Sequence, residues 1–207
     1  MTQAKIHANV RSFTVAWFSM VLFLCGGGPA YAADLLPQPG TWALGIRSGY
    51  STSSRKLDMV PVQIHIGYTV FKGKWWVMPE GALEIAAEPF VSAITRVTNP
   101  GRRSGSVEAG VMLPMLTYSL NLGSRLYPYV EGGVGALYHD IKGYGLGGGF
   151  SFAETVGGGI SYVFDKHLML TVGYRFRHMS NAGIYKDNNA VNSNMVIAGF
   201  SYFFPSH

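Results

Sequence analysis

Two neighbouring polar residues, at the end of an otherwise hydrophobic stripe, carry the chemistry of this sequence. From Leu168 to Ala182 the chain reads L-M-L-T-V-G-Y-R-F-R-H-M-S-N-A. Side chains of a strand alternate between faces, so the stretch sorts by parity. Leu168, Leu170, Val172, Tyr174, Phe176, His178 and Ser180 share one face; Met169, Thr171, Gly173, Arg175, Arg177, Met179 and Asn181 share the other. The first face is apolar until its last two residues. There an imidazole can take the serine proton as the oxygen attacks an ester carbonyl. At positions i and i+2 the Cβ atoms stand roughly 6–7 Å apart, a gap that rotamers close. The pattern reads as an esterase site opening onto lipid, although rim residues of an ordinary strand also satisfy a bare His-x-Ser.

Such a base needs a third group that holds its tautomer and stabilises the imidazolium. The preceding turn suggests one. A three-residue turn at Asp165-Lys166-His167 pairs Phe164 with Leu168, and counting back sets His178 opposite Glu154. Glu154 has the parity of Phe150, Phe152, Val156, Ile160 and Tyr162. A lone carboxylate on a greasy face is costly in lipid, and pairing it with a lone histidine relieves both.

The elements that must position these groups are strands. Alternating segments run over Trp42 to Tyr50, Val60 to Val70, about Trp75 to Glu88, Pro89 to Val97, Ser104 to about Leu116, Tyr127 to Tyr138, Phe150 to Phe164, Leu168 to Ala182 and Val191 to Phe204. Val60, Val62, Ile64, Ile66, Tyr68 and Val70 share a face opposite Gln63, His65, Gly67 and Thr69. Pro79 and Pro89 interrupt the third and fourth segments, and Asn99-Pro100-Gly101 is a strong turn. The count is eight or nine, and a closed barrel with an even number requires eight. Dividing the mature chain by eight leaves roughly 22 residues per strand and connection, which fits membrane strands of ~9–11 residues plus turns.

Composition points the same way. The 207 residues hold 27 glycines, 14% aromatics and only 13% charged residues. That mix suits a β-barrel in a membrane, and with the strand count gives an all-β, eight-stranded antiparallel transmembrane barrel. Inward small residues fit a narrow, filled lumen, where Arg175 and Arg177 should pair with Glu84, Glu88, Glu108 or Glu131. Trp75, Trp76, Tyr127 and Tyr129 are the expected interface girdle. The net charge of +5 comes without a dense basic run, which argues against nucleic acid as a partner. Residues 1–32 read as a signal peptide: Lys5 and Arg11, an apolar stretch from Phe13 to Cys25, and Ala30-Tyr31-Ala32 before cleavage at Ala33. The domain at 33–207 then has no cysteine, which excludes disulfides and thiol catalysis. His65, His139, His167 and His207 are scattered, and no metal site is expected. The run Gly143 to Gly149 lacks the Lys-Ser/Thr ending of a phosphate loop.

His178-Met179-Ser180-Asn181-Ala182-Gly183-Ile184, followed by Asn188 and a short aromatic last strand, resembles the lipid A 3-O-deacylase (PagL) family over residues 174–204. Upstream the likeness is architectural. The resemblance implies an eight-stranded outer-membrane barrel whose site faces lipid, with lipid A or lipopolysaccharide as substrate, outer-membrane lipids as surroundings and no cofactor; a homodimer is left open. It makes Ser180 the nucleophile, His178 the base, and Asn181 and Asn188 the oxyanion-hole positions. One position departs: the family's catalytic glutamate falls on Asn192. An asparagine can orient a histidine but cannot neutralise an imidazolium. Either Asn192 serves as an alternative third position, Glu154 takes the role, or the protein is slow or inactive. The competing readings are a non-enzymatic small barrel with a structural or adhesive role and, third, a soluble lipocalin-like binder.

Overall fold

The chain closes into one antiparallel barrel of eight strands in sequence order. The computed structural model describes residues 35–53, 57–74, 77–97, 106–141, 149–186 and 189–204. The expected leader, Trp75, Trp76, the turn from Asn99 to Gly101, and Asn188 lie outside them. The strands are β1 Trp42–Ser53, β2 Leu57–Lys74, β3 Glu80–Val97, β4 Val107–Leu120, β5 Leu126–His139, β6 Gly149–Val163, β7 Leu168–Ser180 and β8 Val191–Phe203. β1 pairs with β8 from Ala43↔Phe203 to Ser53↔Ser193, so the sheet has no free edge. Closure matters in lipid, where an unpaired backbone N–H or C=O finds no water.

The division at Pro89 is corrected: the segments expected at Trp75 to Glu88 and Pro89 to Val97 are one strand, β3. Proline has no N–H for a ladder bond, and the fold places Pro89 where none is asked of it. The β2 pairing lapses between Gln63↔Phe90 and Ile66↔Ala87 with the register unchanged, while the β4 register shifts between Ala86 and Glu88. The alternation along β3 runs unbroken through this stretch, so Pro89 faces outward and Glu88 is fully buried in the lumen.

Parity sorts every strand into a wet inside and a greasy outside. On β2, Val60, Val62, Ile64, Ile66, Tyr68 and Val70 are exposed, while Gln63, His65 and Thr69 are buried. On β7, Arg175 and Arg177 are buried and Val172, Tyr174 and Phe176 exposed. An outward surface this apolar is stable only against hydrocarbon. The girdle needs correction too. Tyr127 and Tyr129 are buried in the lumen. The aromatic ring at the short-turn end is instead built by Trp42 against Tyr68, by Tyr162 against Phe164, and by His167, Tyr202 and Phe204 in a stack. The Tyr129 hydroxyl lies where a Cβ on Gly173 would fall, 2.0 Å away, so the facing pair Gly159 and Gly173 makes room for this ring.

The lumen is filled by charges that satisfy one another. Arg175 binds Glu131 at 2.5 Å and Glu88 at 2.6 Å. Arg47 and the Nδ1 of His65 each reach Glu88 at 2.8 Å, and His65 Nε2 lies 2.8 Å from Glu84. Arg175 also donates to Gln63 at 2.9 Å, and Arg177 holds Glu108 at 2.8 Å. The expected arginine partners are therefore present. A lipocalin-like ligand would have to displace this network, since Arg175 and its partners occupy the middle of the lumen. Near the short-turn end Leu36 is buried with Ala43, Ala82, Tyr127, Val163, Met169 and Phe203. Lys72 donates to the Leu36 carbonyl at 2.7 Å and so pins this segment against the barrel.

Connections 75–79, 121–125 and 164–167 share one end with the start of β1 and the end of β8. The other end carries 54–56, 98–106, 140–148 and 181–190. In outer-membrane barrels the short turns face the periplasm and the longer loops face outward. His178 and Ser180 stand at this outer end.

Candidate active site

The β6–β7 hairpin forms as its turn residues dictate. Phe164 N–H donates to the Leu168 carbonyl at 3.0 Å. Asp165 accepts from the His167 and Leu168 backbone N–H groups at 2.7 and 2.9 Å, which fixes the three-residue turn. Those two N–H groups also hold the Asp165 carboxyl below the usual carboxylate range. From that turn the ladder runs without a bulge to the outer end, giving Glu154↔His178 and Phe152↔Ser180. Because side chains of directly opposed residues point the same way, Glu154 and His178 project together from the outer surface.

On the other flank His178 lies opposite Asn192 of β8. Its Nδ1–H donates to Asn192 Oδ1 at 2.6 Å. The bond sets the tautomer: with the proton on Nδ1, the Nε2 lone pair is the basic site. His178 and Ser180 are half-buried, while Glu154 and Asn192 are exposed. His178 and Ser180 are not hydrogen-bonded to each other, and neither is Glu154 to His178. In free enzymes such contacts are often open and tighten around substrate.

The remaining expected positions separate. Asn181 is fully buried and faces inward, away from His178 and Ser180. Its Oδ1 accepts the Gly183 N–H at 2.9 Å and its carbonyl accepts the Ile184 N–H at 3.0 Å. These bonds build a tight turn in which Ala182 has φ 50° and Gly183 φ 81°. A glycine meets the second value without strain, and Asn181 thus shapes the backbone that follows Ser180. The Tyr185 hydroxyl then reaches across to the Phe150 N–H at 3.2 Å, tying this loop to the start of β6.

Sequence reading passed over one polar pair on the same surface. The Tyr174 hydroxyl donates to Asn194 Oδ1, and Asn194 shares the outward parity of Asn192. The signal was the Asn-Ser-Asn spacing at 192–194, where two carboxamides fall on the lipid face of one strand. Among the described residues no cluster of His, Cys, Asp or Glu is arranged to hold a metal ion.

A closed eight-stranded barrel with an apolar exterior defines the class: an outer-membrane β-barrel, here with a serine and a histidine at its outer rim. The model of the lipid A 3-O-deacylase (PagL) family matches residues 61–201, and the chain belongs to that family. The crystal structure of the outer membrane enzyme PagL superposes with a TM-score of 0.56 at 18% identity, covering 75% of this chain and 97% of that one. Neisserial surface protein A (NspA) superposes equally well, with a TM-score of 0.56 at 19% identity over 79% of this chain and 96% of that one. The outer membrane protein AlkL in lipid bilayers gives 0.50 at 18% identity, over 86% and 95%. At these identities the likenesses establish the fold, and with the family they place the protein in the bacterial outer membrane. No curated protein matches the sequence.

Proposed function

We propose that this protein is a lipid A 3-O-deacylase that cleaves the ester-linked 3-hydroxyacyl chain with Ser180 as nucleophile and His178 as general base. The observation that carries the reading is the His178 Nδ1–H bond to Asn192 beside an outward Ser180, at the end of the barrel where lipid meets the outer face. Membership of the lipid A 3-O-deacylase family supplies the substrate class.

The steps follow from the groups present. Nε2 of His178 takes the Ser180 hydroxyl proton as Oγ bonds to the ester carbonyl carbon. The negative charge moves to the carbonyl oxygen, for which Asn188 is the proposed side-chain donor, while Asn181 holds the turn that backs the site. The carbonyl re-forms, the sugar 3-oxygen leaves, and it takes the proton from His178. Water, deprotonated in turn by His178, attacks the acyl-serine. The products are the free 3-hydroxy fatty acid, lipid A with one free hydroxyl, and the regenerated serine. No cofactor enters this sequence.

Mass spectrometry of lipid A from outer membranes carrying the protein tests the reading. Wild type should remove the mass of one hydroxyacyl chain. Ser180→Ala should leave lipid A intact, because losing a nucleophile of this kind costs on the order of 10⁶ in kcat in a serine hydrolase. Intact lipid A with a correctly folded wild-type protein would favour the second reading, a non-enzymatic surface barrel. That reading draws on Asn192 standing where the family's acid is expected.

A further inference from the structure

The site holds an amide where an acid belongs and an acid where none is expected, on opposite flanks of the same histidine. Asn192 on β8 and Glu154 on β6 are both in register with His178 on β7. The amide is already committed to Nδ1–H. It fixes the ring but brings no negative charge to the imidazolium that forms when Ser180 gives up its proton.

We infer that Glu154 is the charge-balancing positioning residue of this site, so that the two duties of a triad acid are divided between β8 and β6: Asn192 orients His178 and Glu154 stabilises its protonated form. The inference rests on the deacylase reading. Three observations carry it. Glu154 is directly opposite His178, which puts their Cβ atoms about 4.5–5.5 Å apart on one face. Its surroundings give it no other purpose: Phe152 and Val156 flank it on β6 and Val134 opposes it on β5, all exposed to the lipid side. Every lumenal carboxylate of the main network has an arginine or histidine within ion-pair distance, whereas the two residues directly across from Glu154 are Val134 and His178.

Physical chemistry favours this division. At the lipid boundary a charge is screened less than in water, so a carboxylate at cross-strand distance from a developing imidazolium lowers the barrier without touching it. In the resting state Glu154 and His178 are not directly bonded. Once the proton arrives, the flexible glutamate can close on the ring. No bond is made or broken at Glu154, and it never meets substrate.

The experiment is single-turnover and steady-state deacylation of lipid A in detergent–lipid micelles, with folding verified by heat-modifiable gel migration. Four proteins are compared: wild type, Glu154→Gln, Glu154→Asp, and Glu154→Gln combined with Asn192→Glu. Glu154→Gln should lower kcat on the order of 10- to 100-fold with KM nearly unchanged; the loss is smaller than the ~10⁴ of a buried triad acid because Asn192 still orients the ring. Glu154→Asp should keep most of the activity. The double variant should recover it, since the carboxylate returns from the other flank. Undiminished kcat in Glu154→Gln would overturn the inference, as would a loss that neither the aspartate nor the relocated glutamate lifts. An inactive wild type beside an equally inactive Ser180→Ala would instead overturn the deacylase reading and this inference with it.

Discussion

Arg175 and His178 sit three residues apart on one strand and meet opposite demands. Arg175 faces the lumen, fully enclosed, with Glu88, Glu131 and Gln63 around it. His178 faces outward, with one hydrogen bond to Asn192 and a carboxylate across the ladder. Inside, the arginines and carboxylates of the central network are paired with one another, and the network holds the barrel. Outside, a histidine nitrogen, a serine oxygen and a carboxylate are left without fixed partners at the lipid boundary. The difference teaches that in a small barrel polarity alone does not locate function. The lumen is expected to be polar, so the informative residues are polar groups with the parity of the lipid face.

The contrast can be broken from the inside first, where the largest stability effect is expected. Arg175→Leu strands Glu88 and Glu131 without their main cation, and removing one partner of a buried pair costs about 3–5 kcal/mol. Urea unfolding in lipid vesicles measures it. Adding Glu131→Leu should return part of the loss. Variants of the outer face should leave that unfolding curve within about 0.5 kcal/mol of wild type.

A smaller effect sharpens the outside. Asn192→Leu removes the acceptor for His178 Nδ1–H, so both tautomers become populated. Deacylation kcat should fall roughly 10-fold, a fraction of the ~10²–10⁴ that general acid–base catalysis supplies. An unchanged rate would mean that the Asn192 bond does not orient the base.

The smallest effect lies at the periplasmic turn that sets the register. The folded state holds the Asp165 carboxyl below its usual range through the His167 and Leu168 N–H groups. Its contribution is therefore present above the unfolded value, near pH 4, and disappears as pH falls through the folded one. The stability difference between wild type and Asp165→Asn should shrink as the pH drops below about 4, as followed by unfolding midpoints across pH.

Local rules made much of this legible. A short turn fixes a hairpin register, so Phe164 with Leu168 was enough to set Glu154 beside His178 many residues away. Parity likewise assigned the β2 and β7 faces, because side-chain alternation does not depend on what lies across the sheet. The failures share a cause. Pro89 read as a break, yet β3 runs through it where its pairing with β2 lapses, and such a gap depends on the neighbouring strand. Tyr127 and Tyr129 read as girdle residues from their position near a strand end, but their parity puts them in the lumen, where glycines on two other strands leave space. Asn181 matched a motif by type although its parity already set it on the face of Arg175 and Arg177; only its Asx turn needed three dimensions.

The sequence by itself determined the strand faces, the β6–β7 register, and the isolation of His178, Ser180 and Glu154 on a lipid-facing stripe. These are consequences of two-residue periodicity and one tight turn. Only the tertiary structure decided that Arg175 meets Glu88 and Gln63, 87 and 112 residues away along the chain. It also brought Asn192 Oδ1 to His178 Nδ1 across the loop 181–190. Those pairings depend on how eight strands close, and closure is a property of the whole ring: each strand's position is set by both of its neighbours rather than by its own residues.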